Sequence, residues 1–278
     1  MTRVVVGSVA AMIGLALAAT LAASMRWDRQ TTALIASLGA GNAAPSTYRE
    51  AILADLPPPA QRYFRASLRP DQPMMRSAVA TQQAEFYIND AWRPLTATQH
   101  FRISPPAFVW DARIAMAPMM PVSVRDSYVD GHGAMKASML GLIGLADVAE
   151  RPELNLGARQ RFLGEAVWLP TALLPSPTVR WSPRDDHSAV ATLSDNGRDV
   201  SLVFEFDETG MVRTISGDRY KEAAGAFTLQ RWLITCGEAT DHDGLRIPAR
   251  CEVAWIVDGK PVPYWRGRLE TIRYEFRQ

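Results

Sequence analysis

The chain has 278 residues, of which 47% are hydrophobic and 9% aromatic, and its 30 basic and 29 acidic side chains leave a formal net charge of +1. Because the charges are spread without long runs, bulk attraction for a polyanion is excluded and nucleic-acid binding is not expected. A chain of this length buries a core sufficient for folding, so a disulfide would add to stability without being required for it.

The first predicted element is an apolar run from Val4 to Ala23, which follows a single basic residue, Arg3. About twenty apolar residues suffice for a helix to span a bilayer, whereas the apolar region of a cleaved signal usually has about 7–15. The run therefore predicts an N-terminal transmembrane helix, with residues 1–25 as an anchor. The small residues from Ala22 to Ser24 leave a cleaved signal as the alternative.

A juxtamembrane stalk is predicted over residues 26–44, because a short helical pattern in this segment ends at glycines. Residues 45–278 then form the main domain. It begins with two short helical segments, Tyr48–Leu56 and Gln61–Leu68, which are separated by Pro57-Pro58-Pro59.

Between Ser77 and Phe276, apolar and polar residues alternate with a period of two, which is the pattern of half-buried strands. Val200–Phe206 is the clearest example. One helical pattern, from Gly157 to Leu174, interrupts the strands, with about five strands before it and about six or seven after it. We therefore predict a mainly β domain with a few helices, in which a curved antiparallel sheet packs on this helix.

The two cysteines, Cys236 and Cys251, are predicted to face each other across a hairpin around the Asp243-Gly244 turn. The same register sets two further apolar pairs on that face, Ile234 with Val253 and Trp232 with Trp255. Facing cysteines bring their Cβ atoms near the distance that a disulfide requires. We expect a disulfide, and hence an extracytoplasmic domain; two reduced core cysteines are the alternative.

In the last predicted strand, simple alternation places Val262 and Tyr264 on the core face, which then continues with Ile272, Tyr274 and Phe276. Unbroken alternation would also turn three charged side chains inward, those of Arg266, Arg268 and Glu270. Because burying unpartnered charges is costly, we expect a bulge near Gly267 that exchanges the two faces. A polar cavity under the sheet is the alternative.

The predicted helix carries one candidate site. Arg161, Glu165 and Trp168 fall on one helix face, so the guanidinium and the carboxylate can pair beside the indole ring. Pro170 should end or restart the helix, because proline lacks the amide donor. This cluster is either a core ion pair or a desolvated acid that anchors a ligand.

A second candidate cluster precedes the helix. Asp126, Tyr128 and Asp130 alternate onto one face of a strand, with His132 just beyond a turn, an arrangement that suits proton transfer. The alternative is an ordinary tight hairpin turn at Asp130-Gly131. The histidines lack metal-ligand spacing and no hydrolase or nucleotide motif is present, so neither a metal nor a cofactor is expected.

Several segments carry a family resemblance: Leu56-Pro57, Gln61–Phe64, Phe108–Ala112, Asp126–Tyr128 with Asp130-Gly131, Glu165–Pro175, and Tyr264–Gly267. Together they resemble an uncharacterised bacterial family, the domain of unknown function numbered 6544, or the related 6920. The resemblance implies a bacterial source and family-typical positions, but no activity. Those positions are Trp110, Asp111, Asp126, Tyr128, Glu165, Trp168 and Arg266.

The order of elements is also similar to that of periplasmic lipoprotein carriers, half-open barrels whose curved sheet wraps a helical lid around an apolar cavity. We therefore expect a single-pass protein of the bacterial inner membrane, whose periplasmic domain binds a lipid or another amphipathic ligand rather than catalysing a reaction. Three tryptophans would supply apolar contact, and three arginines would orient an acidic head group. Tyr128 and Glu165 are two further candidates. The predicted ligand-binding residues are thus Trp110, Arg125, Tyr128, Arg161, Glu165, Trp168, Trp265 and Arg266.

Two other functions remain open at this point. One is a carboxylate-based enzyme that uses Glu165 with Asp126 or Asp130 as acid and base. The other is a structural partner in a cell-envelope complex, which predicts a large exposed apolar patch. Oligomeric state is not predicted by any feature of the sequence.

Overall fold

The structure is a computed structural model that describes residues 2–39, 46–118, 120–223 and 225–277. Of residues 2–7, 9, 10 and 13 it describes the helical backbone alone. Residue 1 of the predicted anchor and residues 40–44 of the predicted stalk thus lie outside the described residues.

The first element is one continuous helix, α1 (Thr2–Leu38), which ends at Gly39 with a φ of +61°. It includes both the predicted anchor and the helical part of the predicted stalk. Among the described residues, we find no helix long and apolar enough to cross a membrane.

The second half of α1 packs on the outer face of the sheet. Trp27 is buried there, and its indole Nε1 donates a hydrogen bond of 2.8 Å to Asp111 Oδ1. The guanidinium of Arg125 lies 4.4 Å from the Trp27 ring centroid and donates to Thr31 Oγ1 at 3.0 Å. The described part of the predicted stalk, residues 26–39, therefore packs on the sheet instead of forming a free spacer.

Two short helical segments precede the strands, as predicted: a 3₁₀ turn at Glu50–Leu53 and α2 (Pro58–Ser67). Prolines at the start of α2 suit positions where the amide has no helical acceptor. Tyr63 and Phe64 of α2 are fully buried, and the Phe64 ring packs edge-on against Trp181.

The rest of the domain is a β meander divided by one helical segment. The strands are β1 Met75–Ile88, β2 Ala91–Arg102, β3 Ala107–Ala117, β4 Met120–Val129, β5 His132–Met139, β6 Ile143–Ala149, β7 Val179–Pro183, β8 Ser188–Asp195, β9 Arg198–Phe206, β10 Val212–Ala223, β11 Ala226–Cys236, β12 Ala239–His242, β13 Leu245–Pro248, β14 Arg250–Val257 and β15 Lys260–Phe276.

Thirteen of these strands form one antiparallel sheet in the order β6-β5-β4-β3-β2-β1-β15-β14-β11-β10-β9-β8-β7, while β12 and β13 pair separately. The sheet is curved and is not closed into a barrel, which confirms the mainly β prediction. Consecutive strands β6 and β7 lie at its two opposite edges.

The helical segment that joins these edges is α3 (Pro152–Glu165), followed by 3₁₀ turns at Ala166–Trp168 and Pro170–Leu173. It begins five residues earlier than predicted, at a proline, and Pro170 restarts it as expected. Arg159 of α3 is buried and bridges the two halves of the sheet: its Nε donates to Tyr128 Oη of β4 at 2.8 Å, and its Nη1 to the Arg198 carbonyl of β9 at 3.2 Å.

The cysteine hairpin has the predicted register. Cys236 pairs with Cys251, Ile234 with Val253, and Trp232 with Trp255. Both cysteines are free thiols, and their Sγ atoms lie 3.9 Å apart, beyond the bond length of about 2.05 Å in a disulfide. The facing pair is confirmed, and the disulfide stays a prediction.

Strand β15 exchanges its faces by bulges, but not at the predicted position. The extra residues are Tyr264, opposite β14, and Glu270, opposite β1, whereas Gly267 pairs regularly with Ala84. The bulges turn the charged side chains of this strand outward, as expected. They also correct one core assignment, because Val262 is 47% exposed.

Candidate functional site

A cavity of about 270 Å³ lies between α3 and the concave face of the sheet. Its walls are mainly apolar, and the aromatic residues that line it are Phe86, Trp110, Trp168, Trp232, Tyr264 and Trp265. Four charged side chains also reach it, those of Asp126, Arg161, Glu165 and Arg219. An apolar pocket with a few placed polar groups is the usual form of a small-molecule site.

Arg161 holds both carboxylates of this cavity. Its Nε donates to Glu165 Oε1 at 2.8 Å, one helical turn away, and its Nη1 donates to Asp126 Oδ2 on β4 at 2.5 Å. The guanidinium also lies 4.9 Å from the Trp110 ring centroid. Arg161 is therefore satisfied within the protein by two anions and two aromatic rings, those of Trp110 and Phe108.

A chain of hydrogen bonds holds Glu165 from the other side. Trp110 Nε1 donates to Gln82 Oε1 at 2.9 Å, Gln82 Nε2 to Gln99 Oε1 at 3.0 Å, and Gln99 Nε2 to Glu165 Oε2 at 2.7 Å. Both glutamines are buried on neighbouring strands β1 and β2. Sequence reasoning missed them, although two amides at inward positions of apolar strands were a usable signal.

Burial and ion pairing have opposite effects on the pKa values of this cluster. Burial raises the pKa of Glu165, while the charge and hydrogen bond of Arg161 and the hydrogen bond from Gln99 lower it by less. Burial would lower the pKa of Arg161, but Glu165 and Asp126 outweigh it and hold that pKa above its ordinary value. Arg161 is thus a permanent cation, and Glu165 is the group that titrates more readily.

Arg219 on β10 is the fourth charged side chain of the cavity and was not predicted. Its Nε donates to the Gly157 carbonyl at 3.1 Å, and its guanidinium lies 4.9 Å from the Trp232 ring centroid. Among the described residues no carboxylate lies within ion-pair distance of it. Alternation from Ile215 on the same face was a signal that this arginine points inward.

Five of the predicted ligand-binding residues meet at the cavity: Trp110, Arg161, Glu165, Trp168 and Trp265. Asp126, predicted as a catalytic alternative, joins them through Arg161. The predicted pairing of Arg161 with Glu165 is therefore present.

Four other predicted residues lie elsewhere and are corrected. Arg125 and Arg266 are on the outer face, where Arg266 pairs with Glu85 at 2.7 Å. Tyr128 is buried outside the cavity and donates its hydroxyl to Asp195. Asp130 sits in the exposed turn after β4 with a φ of 50° and accepts a hydrogen bond from Arg102, so the hairpin alternative was right there.

Hydrogen bonds within the protein hold both carboxylates of the cavity. Both oxygens of Glu165 accept a hydrogen bond within the protein, and Asp126 is bound to the same guanidinium. A general base needs a free oxygen directed at substrate. Within the described ranges, no group of three or more histidine, cysteine or acidic residues is placed to hold a metal ion.

The fold is similar to several solved structures. A DUF1329 family protein from Desulfovibrio piger has 7% identity and a TM-score of 0.43, with 78% of this chain and 90% of that chain covered. A LolA superfamily protein from Nitrosomonas europaea has 10% identity and a TM-score of 0.41, covering 78% and 92%. A putative outer membrane lipoprotein-sorting protein domain from Vibrio parahaemolyticus has 8% identity and a TM-score of 0.37, covering 72% and 85%.

No curated protein matches the chain significantly. A family model described as a family of unknown function, DUF6544, matches residues 46–267. The match spans the cavity, α3 and the cysteine pair.

Proposed function

The chain belongs to the DUF6544 family, whose function is unknown, and on that premise we propose that it binds a hydrophobic or amphipathic ligand between α3 and the concave face of its sheet. The observation that carries the proposal is the cavity itself, which has aromatic walls and four charged side chains. Burial of apolar ligand surface against such walls supplies the binding free energy.

The charges in the cavity indicate the polarity of the ligand. Arg161 is neutralised by Asp126 and Glu165, so it offers no strong site to another anion. Arg219 has a carbonyl and two aromatic rings as partners, and its remaining N–H groups can donate hydrogen bonds to an acidic head group. The ligand class that fits is an apolar chain with a carboxylate or phosphate at one end.

The size of the cavity limits the ligand further. Its 270 Å³ lies just below the range of about 300–1,000 Å³ that is usual for small-molecule pockets. A single acyl chain suits this volume better than a phospholipid with two chains.

Location is part of the same proposal: the domain lies outside the cytoplasm and α1 anchors it in the bacterial inner membrane. Large apolar side chains of α1 are exposed on opposite sides of the helix, for example Met12 and Leu21, which are two and a half turns apart. No single protein face could cover both, whereas lipid could. The register that sets Cys236 opposite Cys251 would allow a disulfide, the bond that forms and persists in an oxidising compartment.

Native mass spectrometry of the full chain, purified from membranes in detergent, tests ligand binding. We expect a co-purifying acidic amphiphile, and we expect added lauric acid to bind. Val253→Phe places an aromatic ring in the cavity and should abolish binding of both the co-purifying ligand and lauric acid. Val262→Phe, at an exposed position, should leave both unchanged. Equal occupancy in the two variants would place the ligand outside the cavity.

The head-group assignment has its own test. Arg219→Met keeps the apolar stem over Trp232 and removes the charge, so affinity for lauric acid should fall about tenfold or more. Affinity for dodecanol, which has no acid, should not change. Arg213→Met on the exposed face of the same strand is the matched control.

A further inference from the structure

Four exposed apolar residues lie at one end of the sheet. Leu142, Ile143 and Leu145, in and after the β5–β6 turn, are 49%, 57% and 51% exposed, and Met120 after the β3–β4 turn is 42% exposed. The two turns are neighbours, because Val122 pairs with Met139. Exposed apolar patches of this kind mark surfaces that contact another apolar phase.

Helix α1 leaves the sheet at this same end. Gly141 lies so close to the helix that an added Cβ would be 3.0 Å from the carbonyl carbon of Ala23. On the N-terminal side of this contact, α1 extends beyond the sheet with Leu15 and Leu17 exposed. The apolar hairpin tip and the apolar half of the helix are therefore continuous.

Charged residues lie beside this junction. Arg26 and Arg29 of α1 are exposed about one and two turns from Ala23, and Arg26 lines the groove between α1 and the β5–β6 hairpin. Asp28, which falls between them, is held by Arg113 at 2.9 Å. Cations at the boundary of an apolar segment suit the anionic head groups of a lipid surface.

We propose that the β5–β6 turn, with Leu142, Ile143 and Leu145, and Met120 of the neighbouring turn insert into the lipid surface from which α1 emerges. This inference rests on the proposed anchoring by α1. The domain then rests on the bilayer through a second contact instead of being held by the helix alone.

The inserted depth of the hairpin can be measured on the full chain. The chain is reconstituted in vesicles of phosphatidylcholine and phosphatidylglycerol, and a nitroxide is attached to Ile143→Cys. The label at Glu208→Cys, in the exposed turn at the opposite end of the sheet, is the matched control. Cys236 and Cys251 are buried, and the parent chain serves as the labelling blank.

We expect oxygen accessibility relative to a water-soluble nickel chelate to rise several-fold at residue 143 on vesicle binding and to stay constant at residue 208. Equal ratios at the two positions, in a chain that floats with the vesicles, would overturn hairpin insertion and leave the anchor standing. A chain that does not float would overturn both. Neither result depends on ligand binding in the cavity, which is measured separately in detergent.

Discussion

Gln99 on β2 donates a hydrogen bond of 2.7 Å to Glu165 on α3, which joins the sheet to the helix at the cavity. Through Glu165 this bond connects to Arg161 and then to Asp126 on β4. A local change in any member therefore leaves a buried polar group without its partner, and the predictions for this cluster follow from that dependence.

Removing the cation should be the most damaging change to the cluster. Arg161→Met leaves Asp126 and Glu165 close together without a counter-charge, so we expect a loss of about 3–5 kcal/mol in the free energy of unfolding. Urea denaturation followed by tryptophan fluorescence measures it. Arg268→Met on the exposed face is the control and should change stability by less than about 1 kcal/mol; similar losses in the two variants would refute the structural role of Arg161.

The raised pKa of Glu165 predicts a specific pH dependence. Because the folded protein binds this proton more tightly than the unfolded chain, the stability that the group contributes is complete below its ordinary pKa of 4.5. That contribution is lost as the pH rises through the raised folded value. The unfolding free energy of the wild type relative to Glu165→Gln should therefore decline from pH 4.5 upward in urea titrations; an increase with pH would contradict the assignment.

Gly267 is predicted to be required by close packing. A Cβ at this position would lie 2.6 Å from the Cβ of Ala84 on β1 and 2.7 Å from the Trp265 ring. Gly267→Ala should cost about 1–3 kcal/mol of stability, since overpacking displaces neighbours. Gly144→Ala in β6, where nothing lies within 4 Å, is the control. Thermal unfolding of both variants decides, and equal melting temperatures would remove the packing argument.

The cysteine pair should respond to oxidation. We expect Cys236 and Cys251 to form a disulfide in an oxidising buffer and to raise the unfolding free energy by about 3 kcal/mol, because the bond closes a loop of about 15 residues. A reductant should reverse the gain, and Cys236→Ser should show none. If both thiols remain open to alkylation in the unfolded chain after oxidation, the pair is a reduced core contact.

The sequence predicted the pairing of neighbouring strands better than it predicted which face of the sheet each side chain occupies. The Cys236–Cys251 register followed from three apolar pairs that agree with one another. Arg125 was predicted to lie in the cavity, but it is on the outer face of the sheet. Because α1 covers that face, residues on both faces are buried there, and alternation alone does not identify the inner one. The predicted position of Arg266 depended on the alternation of inner and outer residues along β15. The bulges at Tyr264 and Glu270 each shift that alternation by one residue.

Gln82 and Gln99 show the remaining limit. The two amides lie on different strands, and their role appears only when β1 pairs with β2 and α3 brings Glu165 close to them. Inward positions mark each amide as a candidate, but the hydrogen-bonded chain itself depends on the packing of three elements.

The pairing of β1 with β15 joins the two halves of the sheet across nearly the whole domain, as in the pair Ala84↔Gly267. Strands on either side of this seam pair mostly with sequence neighbours, so each half can collapse from short loops. The pairing of β1 with β15 can form only after β15 has been synthesised, and it closes a loop that contains all the strands between them. We therefore expect the folding rate to be limited by a late step, in which the two halves of the sheet, already formed, pair along β1 and β15.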